Sequence, residues 1–435
     1  RTFNFFWETT NPDNGLTPDR WPTPSFSSVA AVGFALTAYP VGVEHGWVSR
    51  TDAAARTLTT LRFFWNAPQG PDASGMTGYK GFFYHFLDMQ TGARFKDTEL
   101  SSIDTALLMA GVLAAQQYFD GADSTETQIR ALADSLYRRV QWDWMQPRAP
   151  LIAMAWKPAG GSYNGFIRAD YTGYNEAMIL YLLALGSPTH PVAPDAWSAF
   201  TSSYDWADYR GYSYVNFAPL FGYQYSHVWV DFRGIQDAYM RAKGIDYFEN
   251  SRRATLAQQA YAVQNPNGWR GYGENFWGLT ACDGPGGFQL TVNGRARTFH
   301  GYWARGAAAG DVRDDGTLAP TAAGGSVPFA PDAAVAALQA MQRFYGDKLF
   351  GRYGFRDAFN PTLSDAGAPI HAGTIVPGIG WFDTDYLGID QGPILLMIDN
   401  HRSGLIWKLV RQNPYIVRGL CRAGFQGGWL EGRCG

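Results

Sequence analysis

The stretch from Thr98 to Tyr118 (Thr-Glu-Leu-Ser-Ser-Ile-Asp-Thr-Ala-Leu-Leu-Met-Ala-Gly-Val-Leu-Ala-Ala-Gln-Gln-Tyr) constrains this chain most. It opens with two acids, Glu99 and Asp104, and is then almost wholly small or aliphatic for about three helical turns. A helix that is apolar all round has no solvent face and belongs inside a large protein. Acids at its mouth would sit where that interior meets an opening, a place suited to acid chemistry.

The rest of the chain supplies partners for such a helix. Tyr174–Leu185 is a second apolar helix with Glu176 at its start, and Leu387–Leu409 a third, beginning near Asp390-Gln391-Gly392-Pro393. Helices are also expected over Ser25–Ala38, Thr51–Trp65 (N-cap Ser49 or Thr51), Glu126–Trp142, Ala193–Ser203, Ser226–Lys243, Ser251–Gln264, Pro331–Tyr345 and Pro414–Cys421. Hairpins are expected at 79–96, turning at Gln90-Thr91-Gly92, and at 157–170. Residues 1–24 read as an ordered aromatic arm rather than a helix, and 265–330 as a long loop region.

No strand–helix alternation supports a parallel α/β fold. The helices divide into apolar ones that begin near an acid and amphipathic ones with a charged outer face. Inner and outer rings of a toroid of six helical hairpins would produce that division, with short β-hairpins and long aromatic-rich loops between them. A helical solenoid would look similar, but no fixed-period repeat is present. The expectation is one catalytic domain over 1–435, with an N-terminal arm at 1–24 and a C-terminal tail at 422–435.

Composition narrows the function. Net charge is −3 and only 17% of the 435 residues are charged, which gives no electrostatic case for nucleic acid or an anionic membrane. No run approaches the roughly 20 apolar residues of a membrane span. Aromatic residues reach 16%, with 16 Trp and 24 Tyr, and flat ring faces stack on sugar rings as well as filling cores. Of the three cysteines, Cys421 and Cys434 are close enough in sequence to pair across the short tail, leaving Cys282 free; such a staple implies an oxidising compartment.

The seven histidines are scattered without metal-ligand spacing, and no contiguous zinc or calcium motif is intact, so no metal and no cofactor is expected. Nucleophile-elbow and dinucleotide motifs are absent as well. Carboxylates among aromatics remain, the equipment of glycoside hydrolysis, which needs one protonated acid and one ionised partner. Glu99, Asp104, Glu176, Glu274, Asp283 and Asp390 qualify by position. Each also has a structural explanation: Asp104 completes a capping pattern with Ser101, and Glu176 and Asp390 complement helix dipoles. His227, Asp231 and Arg233 are the other dense polar group, with His227 and Asp231 one helical turn apart if that segment is helical. Trp156, Tyr163, Trp277 and Trp381 lie in loops, where exposed rings suit binding. Tyr174 and Gln391 stand beside the acids of their helices.

Six motifs carry a resemblance that covers nearly the whole chain. They are Glu-Leu-Ser-Ser-Ile-Asp-Thr-Ala-Leu (99–107), Tyr-Asn-Glu-Ala-Met (174–178) with Leu-Gly-Ser-Pro-Thr-His-Pro (185–191), and Tyr-Ser-His-Val-Trp-Val-Asp-Phe-Arg (225–233). Trp-Gly-Leu-Thr-Ala-Cys-Asp-Gly-Pro (277–285), Ala-Pro-Thr-Ala-Ala-Gly-Gly-Ser (319–326) and Gly-Ile-Asp-Gln-Gly-Pro (388–393) complete the set. The chain resembles the bacterial glucoamylase-like family, and within it glycoside hydrolase family 144, the endo-β-1,2-glucanases and related sophorose-releasing enzymes. The resemblance implies an (α/α)6 toroid and an inverting, metal-independent hydrolase of linear β-1,2-glucan, expected as a monomer in the periplasm or secreted. By motif, Glu176 is the general acid, with Asp104 and Glu99 in the same pocket and Glu274 a further candidate. Tyr174, Trp156, Tyr163, His227, Asp231 and Arg233 are expected to hold the sugar chain, as are Trp277, Asp283, Trp381, Asp390 and Gln391.

Overall fold

The computed structural model describes residues 1–159 and 165–434. It is helix-rich, and its most buried elements are six helices: Val29–Glu44, Ser102–Tyr118, Met178–Gly186, Tyr225–Trp229, Pro320–Gly324 and Gly388–Arg402. Every residue of Met178–Gly186 is buried, as are fourteen of the seventeen in Ser102–Tyr118. The first packs on the second, the second on the third, the third on the fourth, and the last touches the fourth, the fifth and the first. The gap between the fourth and fifth is bridged at Gln224, whose amide donates to Ala322 O and Ser326 Oγ at 2.9 Å.

Outside them lie helices with one wet face. Ser124–Arg139 buries Ile129, Ala133, Leu136 and Tyr137 at helical spacing and turns most of its charges outward. Arg50–Asn66, Tyr247–Gln264 and Pro331–Tyr345 are built likewise. The expected starts hold at Ser49, whose side chain accepts from Asp52 N, and at Pro331 in the first turn.

Glycines set how closely two of the inner helices approach their neighbours. A Cβ on Gly111 would stand 2.1 Å from Gly33 O, and one on Gly186 would stand 2.1 Å from Tyr415 O. No side chain fits at such backbone contacts.

Several expectations are corrected. Residues 1–24 contain a helix, Thr2–Thr9, because Phe3, Phe5 and Phe6 are all buried against the core, and that burial outweighs weak local propensity. Ser226–Lys243 is two helices, Tyr225–Trp229 and Ala238–Lys243, with Val230 extended between them. The apolar helix expected from Tyr174 begins at Met178, so Glu176 sits just ahead of it. The Leu387–Leu409 segment breaks at Ser403-Gly404 into Gly388–Arg402 and Leu405–Val410. The 265–330 region holds hairpins at Phe288–Val292/Arg295–Phe299 and Gly306–Ala308/Asp311–Arg313, and the short inner helix Pro320–Gly324.

The hairpin expected over 79–96 is also re-paired. Phe82–Tyr84 turns back on Gly78–Tyr79, and its other edge pairs with Leu100–Ser101. Ala155–Lys157 and Gly165–Phe166 extend this into a five-stranded sheet. This sheet caps the start of Ser102–Tyr118 and sets His85 against Glu99, with His85 N donating to Glu99 O at 2.9 Å.

Candidate active site

The starts of four inner helices surround one cavity of about 220 Å³. Ile103, Asp104 and Leu107 come from the Ser102 helix, Glu176 from the lead-in to the Met178 helix, Tyr225 from the next, and Ile389 from the Gly388 helix. Loops and strands add His85, Tyr171, Phe221, Ala281 and Tyr302. The Tyr302 ring is 56% exposed and overhangs the cavity. Acids at the N-terminal ends of apolar helices are thereby drawn to one opening, where polar groups converge on apolar and aromatic walls, as in a ligand site.

Glu176 is the acid best suited to give a proton. Burial pushes its pKa up to about 7; its own backbone N–H opposes this, the Asp104 charge adds to it, and the Tyr171 hydroxyl pulls back. A carboxylic acid held near neutrality is the state a general acid requires.

Asp104 and Glu99 share one histidine. His85 Nδ1 lies 2.7 Å from Glu99 Oε1 and its Nε2 3.5 Å from Asp104 Oδ1. Burial disfavours the imidazolium, but Asp104 and Glu99 together outweigh it and raise His85 to about 9. Burial likewise works against ionised Glu99, yet the hydrogen bond from His85 leaves its pKa below the ordinary value. Asp104 is pushed up by burial, with His85 and the Ser101 hydroxyl opposing. Ser101 also caps the helix, accepting from Asp104 N at 3.2 Å, so the capping pattern and the pocket acid are one feature.

Asp390 leads a second acidic group beside the cavity. Burial raises it to about 7, against a hydrogen bond shared with Asp357. Asp357 and Asp383 are held well above the usual carboxylate range by burial and by the neighbouring acids. Asp283 is raised by burial despite its ion pair with Arg20, whose Nη1 lies 2.5 Å from Asp283 Oδ2. Asp283, Asp357 and Asp383 each bring one oxygen within 4.8 Å of the others, a grouping no contiguous motif reveals.

The Glycoamylase family, described as "Putative glucoamylase", matches residues 168–414, more than half of the chain and the part that carries Glu176, Tyr225, Tyr302 and Asp390. The chain belongs to the bacterial glucoamylase-like family. An exo β-1,2-glucooligosaccharide sophorohydrolase (non-reducing end) of Parabacteroides distasonis is 30% identical over 96% of this chain. The chain spans 56% of that relative's length. Among solved structures, a "putative glucoamylase" from Bacteroides uniformis has a TM-score of 0.82 and 32% identity, covering 99% of this chain and 96% of its own. The endo-β-1,2-glucanase of Chitinophaga pinensis, in complex with sophorotriose and glucose, has a TM-score of 0.82 and 28% identity, covering 99% and 97%. These relatives include named glycoside hydrolases of β-1,2-linked glucans, and the glucoamylase-like name does not set the substrate.

Within this family member, several expected site residues lie elsewhere. Glu274 is exposed on a turn whose carbonyl accepts from Gln259 of the outer Tyr247 helix, away from the cavity lining. His227, Asp231 and Arg233 share no helical face, since the helix ends at Trp229. His227 is fully buried against Ser251, and burial drops its pKa to about 3 despite Asp231. Asp231 pairs with Arg233 and Arg411 and ties the C-terminal segment down. Trp229, between them, donates to Thr37 Oγ1, more than two turns down the Val29 helix from its start; His227 and Asp231 are buried there, while Arg233 reaches the surface.

The aromatic candidates divide similarly. Tyr174 is buried and stacked on Tyr223 at 4.8 Å. Trp277 is fully buried, and so is Trp381, whose Nε1 donates to Ala372 O at 2.7 Å. All three were expected to face sugar and instead pack. Gln391 is buried too, with its amide on Phe355 O at 2.8 Å. Trp156 alone stays part-exposed, in the sheet beside Leu100 and against Tyr79 and Trp144. Tyr163 lies outside the described residues. The structure adds His85, Tyr171, Tyr225 and Tyr302, which sequence reasoning did not single out.

Proposed function

We propose that this chain is a glycoside hydrolase that cuts β-1,2-glucosidic bonds of linear β-1,2-glucan, with Glu176 as general acid. The observation that carries the proposal is the Glu176 carboxyl on the cavity wall, raised to about 7 beside Asp104. Protonated Glu176 gives its proton to the departing glycosidic oxygen as the bond to the anomeric carbon breaks. Water attacks the anomeric carbon from the opposite face and gives its proton to Asp104, directly or through a substrate hydroxyl, while Glu99 holds the imidazole that faces Asp104. Tyr225 and Tyr302 offer ring faces and hydroxyls to the sugar.

We read the action as endo and inverting, releasing short sophoro-oligosaccharides. Similarity to the Chitinophaga pinensis endo-β-1,2-glucanase over 97% of its length supports the endo reading. The exo reading rests on a relative that this chain matches over 56% of its length. Cleavage of a closed cyclic β-1,2-glucan separates the two, because an exo enzyme finds no end there; longer products would instead mark transglycosylation. A glucan-binding protein without turnover is the reading from another class, and it would release no reducing ends from any glucan.

The architecture is read as one (α/α)6 toroidal unit, supported by the circuit of inner-helix contacts and one hydrophobic cluster running from Phe3 to Leu430. Export to the periplasm or medium is supported by the Cys421–Cys434 disulfide, a bond that oxidising compartments maintain.

A further inference from the structure

Behind the cavity wall, three loops from distant parts of the chain bring acids together. Asp283 follows the strand Ala281–Cys282, Asp357 lies between Gly354–Phe355 and Phe359–Asn360, and Asp383 follows Gly380–Phe382. All three are buried, at 5%, 2% and 1% exposure, and one oxygen of each lies within 4.8 Å of the others. Each acid has part of its acceptor capacity used by the protein. Asp283 takes Arg20, Asp357 Oδ2 takes Asp283 N at 2.7 Å, and Asp383 Oδ1 takes Thr384 N and Asp385 N.

The remaining oxygens are the informative ones. Asp383 Oδ2 is shut off from solvent and has no hydrogen-bond partner among the described residues, and Asp357 Oδ1 meets no N–H or hydroxyl donor, its carboxyl neighbour being Asp390. A buried carboxylate oxygen without a donor is costly, and proteins relieve that cost by pairing the charge or coordinating a metal. Two nearby cations are already committed. Arg20 is committed to Asp19 and Asp283, and Arg305 is closed on Asp315 at 2.7 Å. Sugar does not serve either, because the cavity takes Ala281 and Ile389 from these segments and none of the three carboxylates.

We propose that Asp283, Asp357 and Asp383 form a site for one hard divalent cation of calcium's size. An all-oxygen ligand set selects hard cations over zinc or copper. Calcium accepts flexible cages of protein oxygens at roughly 2.3–2.6 Å, whereas magnesium dehydrates reluctantly and is seldom held by protein groups alone. One oxygen of each acid within 4.8 Å of the others lets all three reach a single such ion. The ion clamps three loop segments behind the cavity and, through the Asp357–Asp390 contact, steadies the start of the Gly388 helix. This role is structural and does not depend on which glycoside is cut.

The test uses the full chain, stripped with EDTA, dialysed, and titrated with calcium chloride by calorimetry, with thermal unfolding and metal analysis alongside. The expected result is one calcium per chain, a rise of several degrees in unfolding midpoint, and at least tenfold weaker binding in Asp383→Asn and Asp357→Asn. Asp383→Glu, which keeps the charge but displaces the oxygen, replaces the Asn variant if that does not fold and is expected to bind at least tenfold more weakly. No bound calcium together with a midpoint indifferent to calcium and EDTA overturns the site. Binding that survives unchanged in the variants also overturns it, since the ion would then sit elsewhere.

Discussion

His85 Nδ1 lies 2.7 Å from Glu99 Oε1, across adjacent strands that lead into the buried Ser102–Tyr118 helix. The opposite ring nitrogen faces Asp104, so one imidazole serves both acids first legible in the sequence. Beside them, Glu176 is kept protonated by burial and by the Asp104 charge. Burial raises Glu176 to about 7 while the hydrogen bond from His85 lowers Glu99, the kind of divergence that acid catalysis of glycoside cleavage needs.

Replacing the proton donor removes the chemistry and leaves the fold. Glu176→Gln is expected to lower kcat by about 10³-fold or more, in the upper range for a lost general acid. KM and the far-UV circular dichroism spectrum should stay close to wild type. A kcat within tenfold of wild type would assign the proton to another group.

The pH profile follows from the raised carboxyl. Glu176 is active when protonated, so kcat/KM should fall as pH rises through about 7. Rates on soluble glucan from pH 4 to 9 test this; a plateau reaching pH 9 would contradict it.

His85 links the site to stability with the opposite sign from an ordinary surface acid. Its folded-state pKa is raised from 6.5 to about 9, so the imidazolium's contribution is fully present below pH 6.5 and lost as pH rises through about 9. His85→Gln should therefore cost most stability at pH 6 and progressively less towards pH 9.5. Denaturant midpoints across that range measure it. The same variant should move the acidic limb of kcat/KM upward, because Asp104 and Glu99 lose their cation, while the basic limb stays near 7.

Much of this arrangement was readable in the sequence, and the limits were physical. Apolar helices beginning near acids can be recognised by period and composition, and Asp104 and Glu176 do share one cavity, whereas at the third helix start the lining residue is Ile389 and not Asp390. His85 was not singled out because its partner strand depends on register. The local turn at 90–92 suggested pairing within 79–96, whereas Phe82–Tyr84 pairs with Leu100–Ser101. Trp277 and Trp381 sit between turn-forming residues, as exposed rings often do, yet Trp277 joins the main core and Trp381 a small second one with Cys282 and Phe299. Asp357 and Arg20 gain meaning only when they meet Asp283 across 74 and 263 positions, which periodicity cannot report.

The close helix crossing gives a stability prediction with a clear steric cause. Gly111→Ala would press a methyl to 2.1 Å from Gly33 O. The roughly 1 kcal/mol gained from Ala's helix propensity is outweighed by overpacking of about 1–3 kcal/mol or more against an unyielding backbone. Thermal unfolding should show a lower midpoint; a raised one would mean the helices separate at little cost.

The tail staple is separable from the site. The Cys421–Cys434 bond closes a loop of sequence separation 13, which corresponds to about 3 kcal/mol of chain-entropy stabilisation. The double Cys→Ser variant should lose about that much in denaturant unfolding and keep its kcat. An intact mass unchanged by reduction would show that the bond does not form.

The most direct measurement is product release by the wild-type chain and Glu176→Gln on linear β-1,2-glucan, with laminarin, cellulose and starch alongside. The predicted result is sophoro-oligosaccharides from β-1,2-glucan only, made by the wild type and lost in the variant. Turnover of starch or laminarin in place of β-1,2-glucan, or full activity in Glu176→Gln, would contradict it.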